Sequence, residues 1–223
     1  MELIMTNKEL ESIFTTIYTQ KIWGEVEGYE YYSGSGSHDP KIVDPYVQIV
    51  RAFMSFYNLI TGNRPTVVDI GCGDFAVGSR LVDQTSKYLG IDIVKNLIDY
   101  NNNKFQFPGL SFQHSDITEN AIENCDICMV RQVFQHLPNS AIDTALKNIL
   151  PNCKFLIITE HVPSNPDFSP NLEIPNSGNW RFSLNSGVDI TKAPFNQTFI
   201  SSMIINEVEE YGGIVRTNIY RCG

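Results

Sequence analysis

The order of apolar and polar positions predicts strands that alternate with helices over most of the chain. Four short apolar runs, at 66–70, 87–92, 125–130 and 154–159, are bounded by polar or turn-forming residues, and a more mixed run covers 110–116. Other stretches place apolar residues every three or four positions, which is typical of amphipathic helices. These helical stretches cover 6–22, 40–60, 76–84, 94–105 and 140–150. The alternation predicts a parallel sheet with helices on both faces.

The two ends of the chain complete this architecture. Residues 1–62 are expected to form N-terminal helices and a glycine-rich lid loop, and residues 63–223 an α/β core. Within the core, residues 161–197 are rich in Pro, Asn, Ser and Gly, and an irregular insertion of that length is usually functional. The apolar stretches that flank Gly212-Gly213 predict an antiparallel hairpin at the edge of a doubly wound, mostly parallel, seven-stranded sheet.

Charge and composition narrow the classes of partner. The formal net charge is −9, and nucleic-acid binding normally needs a basic surface, so an RNA or DNA partner is disfavoured. No run of about 18 apolar residues is present to span a membrane, and the acidic N-terminus lacks the pattern of a signal peptide. These observations predict a cytoplasmic protein and leave its oligomeric state open.

The five cysteines do not suggest a disulfide framework or a metal site. Their odd number and scattered positions favour free thiols. Cys125 and Cys128 form a CxxC, but no second pair or histidine at ligand spacing accompanies them. Because both lie in the apolar run CDICMV, a buried strand is the simpler interpretation, and we predict no metal site.

A glycine bend and acidic strand ends carry the candidate chemistry. Gly71 and Gly73 follow the first strand, where residues without a Cβ let the backbone approach a ligand closely. Asp92 ends the second strand, at a spacing that places a carboxylate over ribose hydroxyls in dinucleotide sites. Asp116 ends the third. The carboxyl ends of parallel strands border the ligand crevice of such sheets, so these residues predict a nucleoside-binding site.

Two ligands fit this arrangement, a nicotinamide dinucleotide and S-adenosylmethionine. Residues 71–76 formally satisfy the dinucleotide pattern G-x-G-x-x-A. Asp69, however, lies two residues before Gly71, where a carboxylate suits the cationic amino-acid end of S-adenosylmethionine and would repel a pyrophosphate. A core that starts near residue 65 also leaves little room for the substrate domain of a dehydrogenase. The residues therefore favour S-adenosylmethionine.

These segments resemble the class I S-adenosylmethionine-dependent methyltransferases, whose core has a Rossmann-like fold. VVDIGCGDF resembles their motif I, YLGIDIV motif II, SFQHSDIT the adenine-binding motif, and CDICMVRQVFQHLPN motif IV with its following segment. KIWG, SGSGS, NWRFSLN and APFN resemble stretches of a bacterial subfamily often found with surface-polysaccharide genes. Gln132 stands where that subfamily usually has an acidic residue, so a role that needs this carboxylate does not carry over.

The resemblance implies a set of residues that hold the cofactor S-adenosylmethionine. The residues expected at its methionine end are Asp69, Gly71, Gly73 and Arg131. The residues expected at its ribose and adenine are Asp92, Ile93, Asp116 and Ile117. The residues expected to close over its sulfonium as a lid are Trp23, Ser35 and Gly36.

Two histidines are candidates for the general base that an oxygen acceptor needs. His136 is the first, because it follows the fourth strand and histidine titrates near neutral pH; its alternative role is to cap or pack at the next helix. His161, just past the fifth predicted strand, is the second. In the insertion, Trp180 offers a flat face for a sugar or a cation, and Arg181 a fork for phosphate or carboxylate, with Asn185 nearby.

The sequence thus predicts a methyltransferase that acts on an oxygen of a small anionic or sugar-like acceptor, with surface-polysaccharide biosynthesis as the implied context. One alternative is a nitrogen acceptor in a small molecule or a protein. Another is a nicotinamide-dependent oxidoreductase. A third is a non-catalytic S-adenosylmethionine-binding subunit, which the presence of Asp69, Gly71, Gly73 and Asp92 disfavours. A divalent ion recruited through Asp116 or the substrate stays open.

Overall fold

The computed structural model describes residues 7–174 and 180–223. Its α-helices are α1 Asn7–Thr19, α2 Ser35–His38, α3 Pro40–Thr61, α4 Lys95–Lys104 and α5 Asn139–Ile149. Its strands are β1 Thr66–Ile70, β2 Lys87–Asp92, β3 Leu110–His114, β4 Cys125–Arg131, β5 Cys153–Pro163, β6 Ser201–Glu210 and β7 Gly213–Arg221. No helix in these two ranges is long and apolar enough to cross a membrane.

All seven strands form one sheet, in the order β3-β2-β1-β4-β5-β7-β6. The pairs among β1 to β5 are parallel, whereas β7 runs antiparallel to both β5 and β6. The predicted doubly wound sheet with a C-terminal antiparallel hairpin is therefore confirmed. The strand order reverses between β1 and β4, and the crevice at such a switch point is the usual ligand site of these sheets.

Alternate residues of the strands face two separate hydrophobic layers. On one face Val67 and Ile127 pack with Val47 and Met54 of α3. On the other, the next residue of β1, Val68, packs in a cluster with helix α5. Because side chains alternate along a strand, each strand contributes to both layers. The N-terminal helix α3 thus covers the sheet directly.

Helix α3 has capping residues at both of its ends. Asp39 accepts a hydrogen bond from the amide of Lys41 at 2.9 Å, and Pro40 occupies the first helical position. Gly62 ends the helix in the left-handed conformation, at φ 74°. Both are standard helix-capping arrangements. The long helix orients the segment before it, residues 33–38, toward the crevice.

Two predicted elements differ from the structure, a helix at 76–84 and the end of the fifth strand. Residues 76–84 form two short 3₁₀ turns, Gly78–Arg80 and Val82–Gln84, in place of the predicted α-helix. Phe75 adopts φ 62° and is fully buried, and a Cβ on Gly78 would lie 2.3 Å from its ring, so packing around Phe75 replaces a regular helix. Strand β5 also continues to Pro163, because its pairing with β7 extends there; His161 lies within the strand, opposite Val215.

Candidate active site

A cavity of about 430 Å³ opens at the carboxyl ends of β1, β2 and β4. It is lined by all the residues that the sequence assigned to the cofactor: Trp23, Ser35, Gly36, Asp69, Gly71, Gly73, Asp92, Ile93, Asp116, Ile117 and Arg131. The two candidate bases, His136 and His161, and the predicted acceptor-binding Trp180 also line it. Arg181 and Asn185 do not. The structure therefore gathers residues from eight segments of the chain around one space.

The glycine bend after β1 has no room for side chains. Gly71 and Gly73 adopt φ 67° and φ 56°, a region that favours glycine. A Cβ on Gly71 would lie 2.4 Å from Val133 Cγ2, and a Cβ on Gly73 would lie 2.5 Å from Ser33 Oγ. Both glycines are thus required by backbone conformation and by close packing.

Asp92 fastens this bend to the end of β2. Its Oδ2 accepts from the amide of Gly73 at 3.1 Å, and its Oδ1 accepts from the amide of Val94 at 3.0 Å. The side chain is buried, and burial raises the pKa of the Asp92 carboxyl, an effect that the two amide donors oppose. The carboxylate is held in one orientation at the floor of the cavity.

Asp69 is a second buried carboxyl at the same end of the cavity. The hydroxyl of Tyr88 donates to its Oδ2 at 2.7 Å. Burial raises the pKa of Asp69 to about 7, against the lowering effects of Tyr88 and of the guanidinium of Arg131. A cationic ligand beside Asp69 would stabilise its charged form, since opposite charges attract strongly where water is excluded.

The segment 33–38 is fastened over the glycine bend through Asp74, which the sequence analysis did not single out. Asp74 Oδ2 accepts from the amide of Ser33 at 3.0 Å and lies 2.6 Å from His38 Nε2. The amide of Asp74 donates in return to Ser33 Oγ, which also contacts the hydroxyl of Tyr18 at 2.9 Å. The sequence contained two signals that could have pointed to this contact, the SGSGS motif and the acidic residue Asp74 in the glycine bend. We call residues 33–38 the covering segment.

Gln135 lies between the two candidate bases. The backbone amide of His161 donates to Gln135 Oε1 at 3.0 Å, and Gln135 Nε2 lies 3.2 Å from His136 Nε2. A backbone amide is always a donor, so it fixes the orientation of the Gln135 side chain and directs the amide nitrogen to His136. His136 Nε2 must then be the acceptor, and its proton is on Nδ1. The imidazole of His136 also packs 5.6 Å from the ring of Trp23.

Glu160 supports the turn that carries His136. Its two carboxylate oxygens accept from the amides of Phe134 and Gln135, at 3.0 and 2.9 Å. Glu160 is buried, and this burial raises the pKa of its carboxyl to about 8. The 3₁₀ turn Phe134–His136 is thereby attached to β5, the strand that carries His161.

His161 is oriented by β6 and by an aromatic ring. Its Nε2 lies 2.9 Å from the carbonyl oxygen of Glu210, which can only accept, so Nε2 carries the proton and Nδ1 the lone pair. The imidazole stacks on Phe182 with ring centroids 4.3 Å apart. Burial lowers the pKa of His161, which keeps it neutral near neutral pH. A neutral imidazole that lines the cavity is suited to accept a proton.

The predicted acceptor-binding residues divide into two groups. Trp180 lines the cavity, 5.4 Å from the ring of His161. Arg181 is completely buried outside the cavity, where it donates to the carbonyl oxygens of Leu172 and Leu137. Asn185 is exposed, at the left-handed end of the 3₁₀ turn. The expectation that Arg181 binds an anionic acceptor is wrong, because its guanidinium instead connects the insertion, at Leu172, to the segment around Leu137. Asn179 of the NWRFSLN motif lies outside the described residues.

Two further residues at this end, Glu210 and Tyr211, were not predicted. Both line the cavity, Glu210 from the end of β6 and Tyr211 from the turn between β6 and β7. Ser35 Oγ lies 3.4 Å from Glu210 Oε1, and the rings of Tyr211 and Trp180 are 6.4 Å apart. Burial raises the pKa of the Glu210 carboxyl. No sequence motif marks these residues, since only the hairpin brings them to the site.

Comparison with known proteins agrees with this geometry. Residues 67–154 match the family model described as a methyltransferase domain. The structure is similar to the N-methyltransferase NodS from Bradyrhizobium japonicum WM9 in complex with S-adenosyl-L-homocysteine, with TM-score 0.65 and 13% identity, over 93% of this chain and 98% of that chain. No curated protein sequence matches the chain.

Two other solved structures have the same fold. Magnesium protoporphyrin IX methyltransferase (ChlM) from Synechocystis PCC 6803 with bound S-adenosylmethionine gives TM-score 0.57 at 13% identity, over 99% of this chain and 100% of that chain. The bifunctional kinase-methyltransferase WbdD gives TM-score 0.59 at 16% identity, over 97% of this chain and 46% of that chain, so the present chain spans less than half of WbdD. These similarities identify the fold, and the family match identifies the domain.

Residues 67–154 thus form a methyltransferase domain, and the chain has the fold of S-adenosylmethionine-dependent methyltransferases.

Two buried polar atoms in the methyltransferase cavity fit that cofactor. Among the described residues, five buried side-chain polar atoms have no hydrogen-bond partner, and two of them, Asp116 Oδ2 and Arg131 Nε, belong to residues that line the cavity. Asp116 Oδ1 is held by the amide and hydroxyl of Thr118, at 2.7 and 2.8 Å, which leaves Oδ2 as an acceptor suited to an adenine amino group. Arg131 Nε is a donor suited to a carboxylate. Since buried polar atoms are normally paired, both are expected to be satisfied by a ligand.

Proposed function

We propose that this methyltransferase transfers a methyl group to a hydroxyl oxygen of a small, sugar-like acceptor, with His161 as the general base. The observation that carries the proposal is that two groups of residues line one cavity. The first group is the glycine bend with the buried carboxyls Asp69 and Asp92, and the second is a neutral histidine, His161, whose ring lies 5.4 Å from that of Trp180. A cofactor bound at the first group and an acceptor bound at the second would meet inside that cavity.

The proposed cofactor contacts follow the two ends of S-adenosylmethionine. At the methionine end, Asp69 attracts the ammonium and Arg131 Nε donates to the carboxylate, while Gly71 and Gly73 let the backbone approach. At the nucleoside end, Asp92 accepts from the ribose hydroxyls and Asp116 from the adenine amino group. Ile93 and Ile117 are proposed to pack on the faces of adenine. The residues proposed to cover the sulfonium are Trp23, Ser35 and Gly36.

The protein's contribution to the reaction is alignment, exclusion of water and removal of one proton. The cofactor supplies the methyl group on a positively charged sulfur, which is already a good leaving group. With the cofactor bound, His161 Nδ1 would accept the proton of the acceptor hydroxyl as its oxygen receives the methyl group. Such base catalysis contributes about 10²–10⁴-fold. The covering segment and Trp23 keep water from the reacting atoms.

His136, the first candidate in the sequence, receives a different role in this proposal. The lone pair of its Nε2 accepts from Gln135, so protonation there would bring two donors together. His136 is therefore proposed not to act as the base, and to position Trp23 by ring packing. Because Arg181 does not line the cavity, the anionic option for the acceptor has lost its support. A cytoplasmic location and a role in surface-polysaccharide biosynthesis complete the proposal; the second rests on the motif resemblance alone.

Calorimetry with S-adenosylhomocysteine and with NAD tests the proposed cofactor site. We expect saturable heat with S-adenosylhomocysteine and none with NAD. Binding of NAD alone would contradict the proposal and favour an oxidoreductase. A nitrogen acceptor would be recognised by turnover of amines that persists when His161 is replaced, since an uncharged amine needs positioning more than a base.

A further inference from the structure

Four of the residues that line the cavity lie close together, and we call the space that they border the far end of the cavity. Trp180, His161, Glu210 and Tyr211 surround it, and the covering segment reaches it through Ser35. The rings of Trp180 lie 5.4 Å from His161 and 6.4 Å from Tyr211. In the proposed cofactor position, none of the contacts named above uses Glu210 or Tyr211. These two residues are available to a second ligand.

The charges that line the cavity disfavour an anionic acceptor. Its acidic lining residues are Asp69, Asp74, Asp92, Asp116 and Glu210. Arg131 is its one lysine or arginine among the described residues, and this guanidinium already donates to the carbonyl oxygen of Gly36 at 2.5 Å and stacks 5.0 Å from the ring of Tyr46. A phosphate or carboxylate at the far end would meet the Glu210 carboxylate without a second cation to balance it.

Glu210 is oriented so that it links three functional parts. Its Oε1 faces Ser35 Oγ of the covering segment at 3.4 Å. Its backbone carbonyl oxygen accepts from His161 Nε2 and so fixes the imidazole whose Nδ1 is the proposed base. Its neighbour Tyr211 extends the aromatic wall that includes Trp180. A donor group of the acceptor that reached the Glu210 carboxylate would therefore be held beside both the base and the aromatic face.

We propose that Glu210 is the acceptor-binding carboxylate of this methyltransferase and determines its specificity. It accepts a hydrogen bond from an uncharged donor of the acceptor, a hydroxyl or a neutral amine, while the acceptor lies against Trp180. It excludes acceptors that carry phosphate or carboxylate at the same position. This assignment rests on the proposed methyl-transfer function. Because Ser35 belongs to the covering segment, this acceptor site is complete only when that segment is in place.

The test compares uncharged acceptors with their phosphorylated counterparts. Glycerol and glycerol phosphate, inositol and inositol phosphate, and phenol and phenyl phosphate form matched pairs, and release of S-adenosylhomocysteine measures turnover. We expect the wild-type enzyme to use uncharged members only. Glu210→Gln should raise KM for them about tenfold or more with a smaller change in kcat, because a charge-assisted hydrogen bond becomes a neutral one. Glu210→Gln should also reduce the ratio of turnover with the uncharged acceptors to turnover with the phosphorylated ones.

Glu209→Gln is the matched control, since Glu209 is the preceding, exposed residue of β6. Glu209→Gln should leave unchanged both the KM for the uncharged acceptors and the preference for them over the phosphorylated ones. Three outcomes would each overturn the assignment. They are that the wild-type enzyme prefers the phosphorylated compounds, that it methylates none of the compounds, or that wild type and Glu210→Gln have equal KM values. Calorimetry with S-adenosylhomocysteine on the same preparations separates the two proposals. If the wild-type protein does not bind S-adenosylhomocysteine, the methyl-transfer function itself is contradicted. If it binds S-adenosylhomocysteine and one of the three outcomes above is observed, only the role of Glu210 is contradicted.

Discussion

Gln135 Nε2 lies 3.2 Å from His136 Nε2, and the orientation of that amide is fixed by the backbone amide of His161. One side chain therefore sets the protonation state of one histidine while it contacts the strand that carries the other. This relationship assigns different roles to two histidines that line the same cavity. It leads to the first two predictions.

The tautomer of His136 is expected to be Nδ1–H. Long-range ¹H–¹⁵N NMR spectra should show Nε2 as the unprotonated nitrogen over the neutral pH range. In Gln135→Glu, a carboxylate replaces the amide donor, so the proton of His136 should move to Nε2. His114, an exposed histidine of β3, provides the internal control, and its signals should be the same in both proteins. An Nε2–H tautomer in the wild type would contradict the hydrogen-bond network.

Replacing His161 should remove most of the turnover and little of the cofactor binding. We expect His161→Gln to lower kcat by about 10²–10⁴-fold, the usual contribution of a general base. Binding of S-adenosylhomocysteine, measured by calorimetry, should stay within a factor of a few. The matched variant His136→Gln should lose much less activity. The reverse order of effects would restore His136 as the base.

The pH profile of kcat for the wild-type enzyme, measured at saturating S-adenosylmethionine, should have one limb on the acid side. The base must be unprotonated, and burial lowers the pKa of His161 below its ordinary value. Activity should therefore be full near neutral pH and should fall as the pH drops through this lowered pKa. A limb above the ordinary histidine value would indicate that another group, or a raised histidine, removes the proton.

Cofactor binding should depend on pH through Asp69. Burial raises the pKa of this carboxyl to about 7 in the folded protein, and a cationic ammonium beside it favours the charged form. The affinity for S-adenosylhomocysteine should therefore increase as the pH rises through about 7. Asp69→Asn should flatten this dependence. The same raised pKa makes the folded state bind a proton that the unfolded state releases, so the free energy of unfolding without ligand should decrease as the pH rises from about 4 through about 7.

Asp116 should contribute to affinity without contributing to folding. Its Oδ1 keeps the two Thr118 donors in Asp116→Asn, and the new amide group then presents a donor where Oδ2 stood. Two donors would face each other at the adenine amino group. We expect about a tenfold or greater loss of S-adenosylhomocysteine affinity and an unchanged Tm. Glu119→Gln, an exposed neighbour, should change neither; equal affinities for Asp116→Asn and wild type would remove Asp116 from the site.

Gly73→Ala should lower the free energy of unfolding by more than the strain of a left-handed backbone conformation alone. An L-residue at φ 56° costs about 1–2 kcal/mol, and the new Cβ would also lie 2.5 Å from Ser33 Oγ. Gly212→Ala is the control, because Gly212 has φ 78° and no atom within 4 Å of the added Cβ. Chemical denaturation should show a larger loss for Gly73→Ala. Calorimetry should show weaker S-adenosylhomocysteine binding in that variant only.

Much of the fold and of the cofactor end was predictable from local pattern. The strands and the long helices, α3 among them, follow from the spacing of apolar residues. The helix expected at 76–84 was wrong because the buried ring of Phe75 decides that segment, and no periodicity reports such packing. The reach of β5 to His161 depended on pairing with β7, a strand far along the chain.

By itself the sequence determined the order of strands and helices, the glycine bend and the acidic strand ends, because each depends on residues close together in the chain. Only the tertiary structure decided which histidine keeps a free lone pair in the cavity, that Arg181 is buried away from it, and that Glu210 lines it. Ser35 and Glu210 are 175 positions apart, and His161 and Glu210 are 49 apart. Contacts of that kind are set by the sheet order and the packing of side chains, and local sequence patterns carry no record of them.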